Sequence, residues 1–470
     1  MPKNKLTILF TAYECAPFFK FGGLGDVVGS LPKILEKLGV DIRVVIPYYQ
    51  IIKKKYPALK KKKSLKLNIA GENLLVDVFE GRLPGSAVPI YFIGNKYFNT
   101  DKIFDEDSRF RFALFSYFVA KTQSLFAWQP KIIHLNDWHT GFVSIFIKKL
   151  NLPIKTVFTI HNLAYTGETA LNILARFGLT EKNFSSVEKG AVNIMREAIL
   201  KSDLITTVSP TYAEEILTPE FGCDLADILQ KRKKDLRGIL NGLDYNVFNP
   251  TKDKNIEARY SLKSLDKKTI NKTALQKISG LSLNKNIPLF GMISRLADQK
   301  GFDLLEQIID ELMRLDWQLV ILGTGESYYE DFLARLNKKC AGRFKAHLKF
   351  DAHLANKIYA GADLFLMPSR YEPCGLGQLV AMKYGSLPLV RSTGGLKDTI
   401  VGFTGKNIKA ANGFSFDKYQ ADELFKTIRR SIKVFHQKKN WRILQRNAMR
   451  ADFSWDRSAG EYLRLYQSLR

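Results

Sequence analysis

Short apolar runs alternate with stretches whose apolar positions recur every three or four residues along almost the whole chain. The first run, LTILFTA, is followed by the glycine-rich FGGLGD and then by Val27, Val28, Leu31, Ile34, Leu35 and Leu38 at helical spacing. A second run, DIRVVIPYY, comes next, and KIIHLN (131-136), KTVFTI (155-160) and LITTVS (204-209) are further strand candidates with helices between them. The rhythm restarts at PLFGMIS (288-294), a helix over 302-314, QLVILG (318-323), LFLMPS (364-369), the LGQLVAMKYG helix and LPLVRST (387-393). Strands and helices in alternation predict doubly wound parallel sheets, so the fold class is α/β with two such domains. The stretch NGLDYNVFNPTKDKN has no periodicity and the composition of a linker, which puts a hinge near 242-250. The expected domains are therefore 1-242 and 243-454. Trp455, Ala459, Tyr462, Leu463 and Tyr466 mark a last amphipathic helix, 455-470, whose apolar face suits packing on either domain, including a return to the first.

Length agrees with that division, because 470 residues exceed the roughly 250 at which single cores stop growing. The apolar run Leu6 to Ala12 is shorter than a signal-peptide core or a bilayer span, so it reads as a first strand and not as a leader or membrane anchor. Cys15, Cys223, Cys340 and Cys374 lie far apart, which suggests neither a disulfide framework nor a zinc site and fits a reducing cytoplasm. The formal charge of +26 attracts polyanions in general. Its densest run, Lys53 to Lys63, lacks an accompanying aromatic stacking series and reads as a solvated loop or hairpin end. No specific nucleic-acid or membrane partner is expected.

Ligands of doubly wound sheets sit at the carboxyl ends of strands, so the loops there carry the candidate chemistry. Lys20, Gly22 and Gly23 lie in the first such loop, where glycines let backbone N–H groups approach an anion at a helix start. In SRLADQKGFD, Arg295 and Lys300 precede another helix and are able to clamp a diphosphate, arginine bidentately and lysine as a point charge. Glu372, in SRYEPCGLGQ, is a carboxylate in a rigid turn suited to sugar hydroxyls or to positive charge on a sugar ring. Asp137, Trp138 and His139 in HLNDWH, with His161 and Asn162 in FTIHNLAYTG, combine polar and aromatic groups at strand ends, the ingredients of a sugar pocket. His134 and His139 are not one helical turn apart and no HExxH occurs, so no metal site is expected. The triplet Asp105-Glu106-Asp107 reads as surface, and no GxxxxGK[ST] or GxSxG motif supports an ATPase or a hydrolase.

In this order, KFGGLGDVVGSLPK, HLNDWH, TIHN, NGLDYNVFNP, SRLADQKG, SRYEPCGLGQLVAMKYG and RSTGGLKDT resemble the glycogen and starch synthase family of retaining glycosyltransferases. The resemblance spans nearly the whole chain. It implies the GT-B fold, two facing Rossmann-like domains with a cleft between them, and glucose transfer from ADP-glucose to the 4-hydroxyl end of an α-1,4-glucan. It further implies that Lys20, Gly22 and Gly23 meet the donor phosphate or the acceptor, that Arg295 and Lys300 hold the diphosphate, and that Glu372 faces the glucosyl ring. Asp137, His161 and Asn162 would line the sugar and acceptor side, with Trp138 among the acceptor residues. Phe350 would stack on the nucleotide base, and Cys374, Gly375, Leu376 and Gly377 would present backbone N–H groups to the phosphates. No metal or other cofactor is implied, since fixed cations stand in for one. Phe21 stands where the family usually has threonine or valine, which reshapes the acceptor entrance. Gly377 stands where threonine is common, which removes a hydroxyl contact and keeps the backbone donor. Two other readings remain open at this point: a GT-B transferase with another acceptor, such as a sucrose-forming enzyme, and a basic scaffold without turnover.

Overall fold

The computed structural model describes residues 5–122 and 128–469, so Met1 to Asn4 and Arg470, at the ends of the first and last segments read above, lie outside the described residues. Two compact units result, Met1–Gly242 with Trp455–Arg470 and Leu243–Ser454.

The first unit is built on a sheet to which the described residues contribute nine strands. These are β1 (Thr7–Thr11), β2 (Asp41–Pro47), β3 (Lys60–Ile69), β4 (Glu72–Arg82), β5 (Pro89–Gly94), β6 (Ile132–Asn136), β7 (Lys155–Ile160), β10 (Leu204–Thr207) and β11 (Leu236–Gly238), while β8 (Thr169–Ala170) and β9 (Ala191–Val192) form a separate small pair. The order is β11-β10-β7-β6-β1-β2-β5-β4-β3. From β11 to β5 the strands are parallel, and β6, IIHLN, is buried at every position. Helices cover both faces of such a strand, which is why it reads as an unbroken apolar run and was visible in the sequence.

The antiparallel hairpin β3–β4 was not visible. Burial alternates along β4, with Leu74, Val76 and Val78 inward and Asn73, Leu75 and Asp77 outward, and β3 opens with four lysines, so neither reads as a buried apolar run. The basic run is placed accordingly: Lys53, Lys54 and Lys55 end the helix Gln50–Lys55, and Lys60 to Lys63 open β3 at the sheet edge, a strand where the sequence suggested a loop or hairpin end. Charged side chains on an edge strand discourage pairing with another chain.

The last helix, Trp455–Gln467, counts with the first unit. Trp455, Ala459, Tyr462 and Tyr466 fall on one face and are buried in that unit's core. Each buried ring contributes roughly 1.5–3 kcal/mol. The Tyr466 hydroxyl also meets His134 Nδ1 at 2.6 Å, and His134 Nε2 meets Thr159 at 2.6 Å. Burial lowers the His134 pKa, so a neutral imidazole serves as a polar peg in the core.

The second unit has a parallel sheet of β12 (Leu289–Ile293), β13 (Gln318–Leu322), β14 (Phe344–His347), β15 (Leu364–Met367), β16 (Leu387–Arg391) and β17 (Phe414–Phe416), ordered β14-β13-β12-β15-β16-β17. In each sheet the strand order reverses beside the first strand of the unit, between β1 and β6 and between β12 and β15. The loops leaving those strands diverge and open a crevice there.

Candidate active site

At the first unit's switch point, β1 runs into Glu14 and the glycine loop, and β6 runs into Asp137. Glu14 is fully buried, and its Oε2 accepts hydrogen bonds from the N–H groups of Gly22, at 2.9 Å, and of Phe21. Those bonds fold the loop over the carboxylate and set the start of the helix Gly23–Lys37. Burial raises the Glu14 pKa against the lowering effect of the bonds. Lys20 turns to Asp26, Nζ to Oδ2 2.6 Å, so its charge is neutralised within the loop and an arriving anion competes with that carboxylate.

Asp137 begins the helix Asp137–Lys149 at φ 56°, a left-handed conformation that a short polar side chain tolerates. Its Oδ1 accepts from the backbone N–H groups of His161, at 2.7 Å, and Asn162, at 3.4 Å, and so ties the end of β6 to the end of β7. Burial pushes its pKa up to about 7. Asn136 donates its Nδ2 to Thr11 O, which leaves Oδ1 to accept from His161 Nε2 at 2.8 Å. That bond fixes the His161 tautomer with a proton on Nε2 and a lone pair on Nδ1. Burial pulls the His161 pKa down to about 3, so the ring is neutral at physiological pH.

Trp138 is placed differently from the expectation of an acceptor contact. It is 4 % exposed, with His139 stacked at 4.2 Å, Phe112 edge-on at 5.2 Å and the Arg109 guanidinium 5.3 Å from its ring centre. Its faces are occupied by protein, so it supports the site from below. His139 is buried as well, stacked on Tyr13 at 4.0 Å.

In the second unit the loops after β12 and β15 are neighbours because the strands pair. Lys300 Nζ lies 2.7 Å from Glu372 Oε2, which also accepts from Ser369 Oγ at 3.0 Å. Glu372 is only 7 % exposed. Two glycines hold this pair. Gly301 has φ 76°, and a Cβ there would stand 2.2 Å from Pro368 O; Gly394 has φ 45°, and a Cβ there would stand 2.0 Å from Glu372 O. Arg295 is exposed, its Nη2 3.5 Å from Gln299 Oε1, while Gln299 Nε2 donates to Tyr371 O at 3.1 Å. The cationic loop is thereby tied to the loop that carries the glutamate.

Cys374, Gly375 and Leu376 lead into the helix Gly377–Lys383, and Gln378 Nε2 braces the turn by donating to Cys374 O at 3.0 Å and Gly375 O at 2.9 Å. At Gly377 a Cβ would stand 3.0 Å from Phe365 Cε1, so an aromatic ring fills the space in which a threonine would sit. Phe350 follows β14 and is 85 % exposed, open to stacking.

Two contributors escaped the sequence analysis. Glu14 is a lone carboxylate with no motif around it, and its only signal was an acid directly after an apolar strand. The Gly323-Thr324-Gly325 turn after β13 holds the Arg295 loop through Leu296 N to Thr324 O at 3.0 Å and Glu326 N to Leu296 O at 2.8 Å. A G-x-G at a strand end could have pointed to it.

Among known proteins, a family described as starch synthase catalytic domain matches residues 7–231, and a family described as glycosyl transferases group 1 matches residues 274–447. The chain is 44% identical over 478 residues to a glycogen synthase of Clostridium beijerinckii, covering 99% of each. It superposes on the catalytic domain of starch synthase IV from Arabidopsis thaliana, solved with ADP and acarbose, with a TM-score of 0.91 and 32% identity over 99% of both chains. Sucrose-phosphate synthase from Thermosynechococcus elongatus aligns with a TM-score of 0.64 at 16% identity, covering 99% of each chain, a likeness of fold alone.

Proposed function

Because this chain belongs to the glycogen and starch synthase family, we propose that it moves glucose from ADP-glucose to the non-reducing 4-hydroxyl of an α-1,4-glucan, with retention at the anomeric carbon and release of ADP. It is a hexosyltransferase of the GT-B fold that acts on a nucleotide sugar and a glucan. The observation that carries the reading of the residues is the pair of half-buried Lys300 and buried Glu372, 2.7 Å apart, with Arg295 on the same loop as Lys300.

In this proposal Lys300 and Arg295 take up the negative charge that grows on the diphosphate as the glycosidic bond to it lengthens. Preorganised cations do this without solvent rearrangement. Glu372, held by Ser369 and Lys300, faces the glucosyl ring, where positive charge develops on the anomeric carbon and ring oxygen. The backbone N–H groups of Gly375, Leu376 and Gly377 meet the phosphates, and Phe350 stacks on the adenine. Lys20, Gly22 and Gly23 receive donor phosphate or acceptor. A neutral His161 bonds sugar hydroxyls without placing a cation beside a neutral ligand, and Asp137 with Asn162 lines the same side. Transfer in this scheme uses the protein's own cations in place of a metal, and the rate should be unchanged by EDTA.

The cytoplasm is the proposed compartment, supported by four free cysteines of which Cys223 is exposed, since an exposed thiol persists in reducing surroundings. Among the described residues no helix is long and apolar enough to cross a membrane.

The test is incorporation of labelled glucose into glycogen from ADP-glucose and, separately, UDP-glucose. Label should enter from ADP-glucose at the higher kcat/KM and appear in α-1,4 linkage by NMR. Preference for UDP-glucose would replace the donor, and no incorporation from either would overturn the reading.

A further inference from the structure

Two large apolar side chains are left in water above a cluster of buried aromatic rings in the first unit. Phe21 is 63 % exposed at the tip of the glycine loop, and Phe104 is 41 % exposed. Their ring centres are 5.0 Å apart at 51°. Below them Phe104 meets Tyr13 at 5.6 Å, His139 at 5.6 Å and Phe112 at 5.9 Å, while Tyr13 and His139 stack at 4.0 Å. The exposed pair is therefore the top of a packed aromatic column whose lower members are buried. Phe21 is held from the other side too, because its backbone N–H donates to the buried Glu14.

We propose that Phe21 and Phe104 form an aromatic platform that takes the apolar face of a glucose ring near the end of the acceptor glucan. This rests on the glucan-extending function proposed above and names a residue that sets acceptor affinity. Three observations favour the acceptor over the donor. The platform is uncharged, and Lys20, next to Phe21 in the loop, is already paired with Asp26, so an anionic diphosphate gains little from it. A neutral sugar presents a C–H face that suits a phenyl ring, and a ring of two χ angles loses little entropy in holding it. The loop after Phe104 supplies the exposed carboxylates Glu106 and Asp107, acceptors for equatorial hydroxyls, which gives the acidic triplet a purpose beyond surface charge.

The test uses the full chain with maltoheptaose. Calorimetric titration without nucleotide gives its Kd, and steady-state rates give separate KM values for maltoheptaose and for the nucleotide sugar. Phe21→Thr should weaken maltoheptaose in both readouts by roughly tenfold, the size of one lost stacking contact, and leave the donor KM within twofold. Phe21→Trp should restore binding. Phe104→Ala should match the loss, and combining it with Phe21→Thr should add little, because the two rings act as one surface. Unaltered maltoheptaose affinity in Phe21→Thr, or a shift in donor KM instead, overturns the proposal. A wild-type chain that binds maltoheptaose through Phe21 yet transfers no glucose would remove the proposed reaction and leave the platform standing. Phe21 is exposed, so its variants keep the fold; Phe104 also packs on Tyr13, Phe112 and His139, so thermal melts accompany Phe104→Ala, and the Phe21 variants alone decide the proposal.

Discussion

The strand ends of the first unit and those of the second solve the same problem, holding polar groups in a crevice, by opposite means. In the first unit, the Lys20–Asp26 pair aside, burial works against charge on the ionisable groups. Burial raises Glu14 and Asp137 and lowers His161, and their partners are mostly backbone N–H groups and an amide. In the second unit formal charges are kept and paired, Lys300 with Glu372. A crevice of neutral hydrogen-bonding groups and aromatic rings suits a neutral sugar, and one of fixed charges suits a reaction in which charge separates. Similar sheets with a similar switch point carry both, so chemistry here follows from what partners each side chain rather than from the architecture.

The comparison breaks most severely at Lys300. Lys300→Ala should lower kcat by about 10² to 10³ if the second unit acts through fixed charge. It also leaves the buried Glu372 carboxylate without its cation, so chemical denaturation must accompany the rate measurement. Near-native turnover would make the pair a structural bridge only. Next in size is Gly394→Ala, which forces a side chain into left-handed backbone against Glu372 O. It should cost about 2–4 kcal/mol in urea unfolding, with a fall in kcat as the glutamate's carbonyl is displaced. Full stability would show that the turn relaxes freely.

The pH dependence of stability sharpens the first unit's side. Asp137 has a folded pKa of about 7 against an ordinary 3.8. The folded state therefore holds a proton that the unfolded state has lost, and the stabilisation, complete below about 4, disappears as pH rises to about 7. His161, lowered to about 3 from 6.5, acts in the opposite sense: its contribution is complete above 6.5 and is lost as pH falls toward 3. The two slopes offset each other between about pH 4 and 6.5. Asp137→Asn keeps an oxygen for the backbone N–H groups of His161 and Asn162 and removes the first slope. Relative to wild type it should gain about 3 kcal/mol between pH 5 and pH 8, and its own stability should fall as pH drops below 6.5. A difference from wild type that does not change with pH would show that Asp137 is ionised throughout. The smallest effect belongs to Trp138→Phe, expected to cost about 1–2 kcal/mol with the glucan KM within twofold. A large rise in that KM would return Trp138 to the acceptor contacts.

Much of this was legible before the structure. Parallel strands covered on both faces leave apolar runs such as IIHLN, and each crevice loop begins where a run stops, so the residues at Lys20, Asp137, Arg295 and Glu372 could be found by position alone. Contacts between loops were less legible. Nothing in the letters pairs Lys300 with Glu372, 72 residues further on, because that distance depends on strand order, and even the local pair Lys20–Asp26 depends on how the glycine loop folds over Glu14. The hairpin β3–β4 was hidden by its lysines, and the burial of Trp138 was not legible because an aromatic residue does not declare which of its faces is covered.

Those lysines have a consequence for crowding. Several copies of an enzyme that extends a glucan can work on one polymer, and an open sheet edge is where two copies would zip together. A second strand added to β3 would lie about 4.8 Å away, and a second copy of β3 paired parallel and in register would set lysines against Lys60 to Lys63 and Lys66. Like charges at that range repel, and the edge lets the protein accumulate on its product without polymerising there itself.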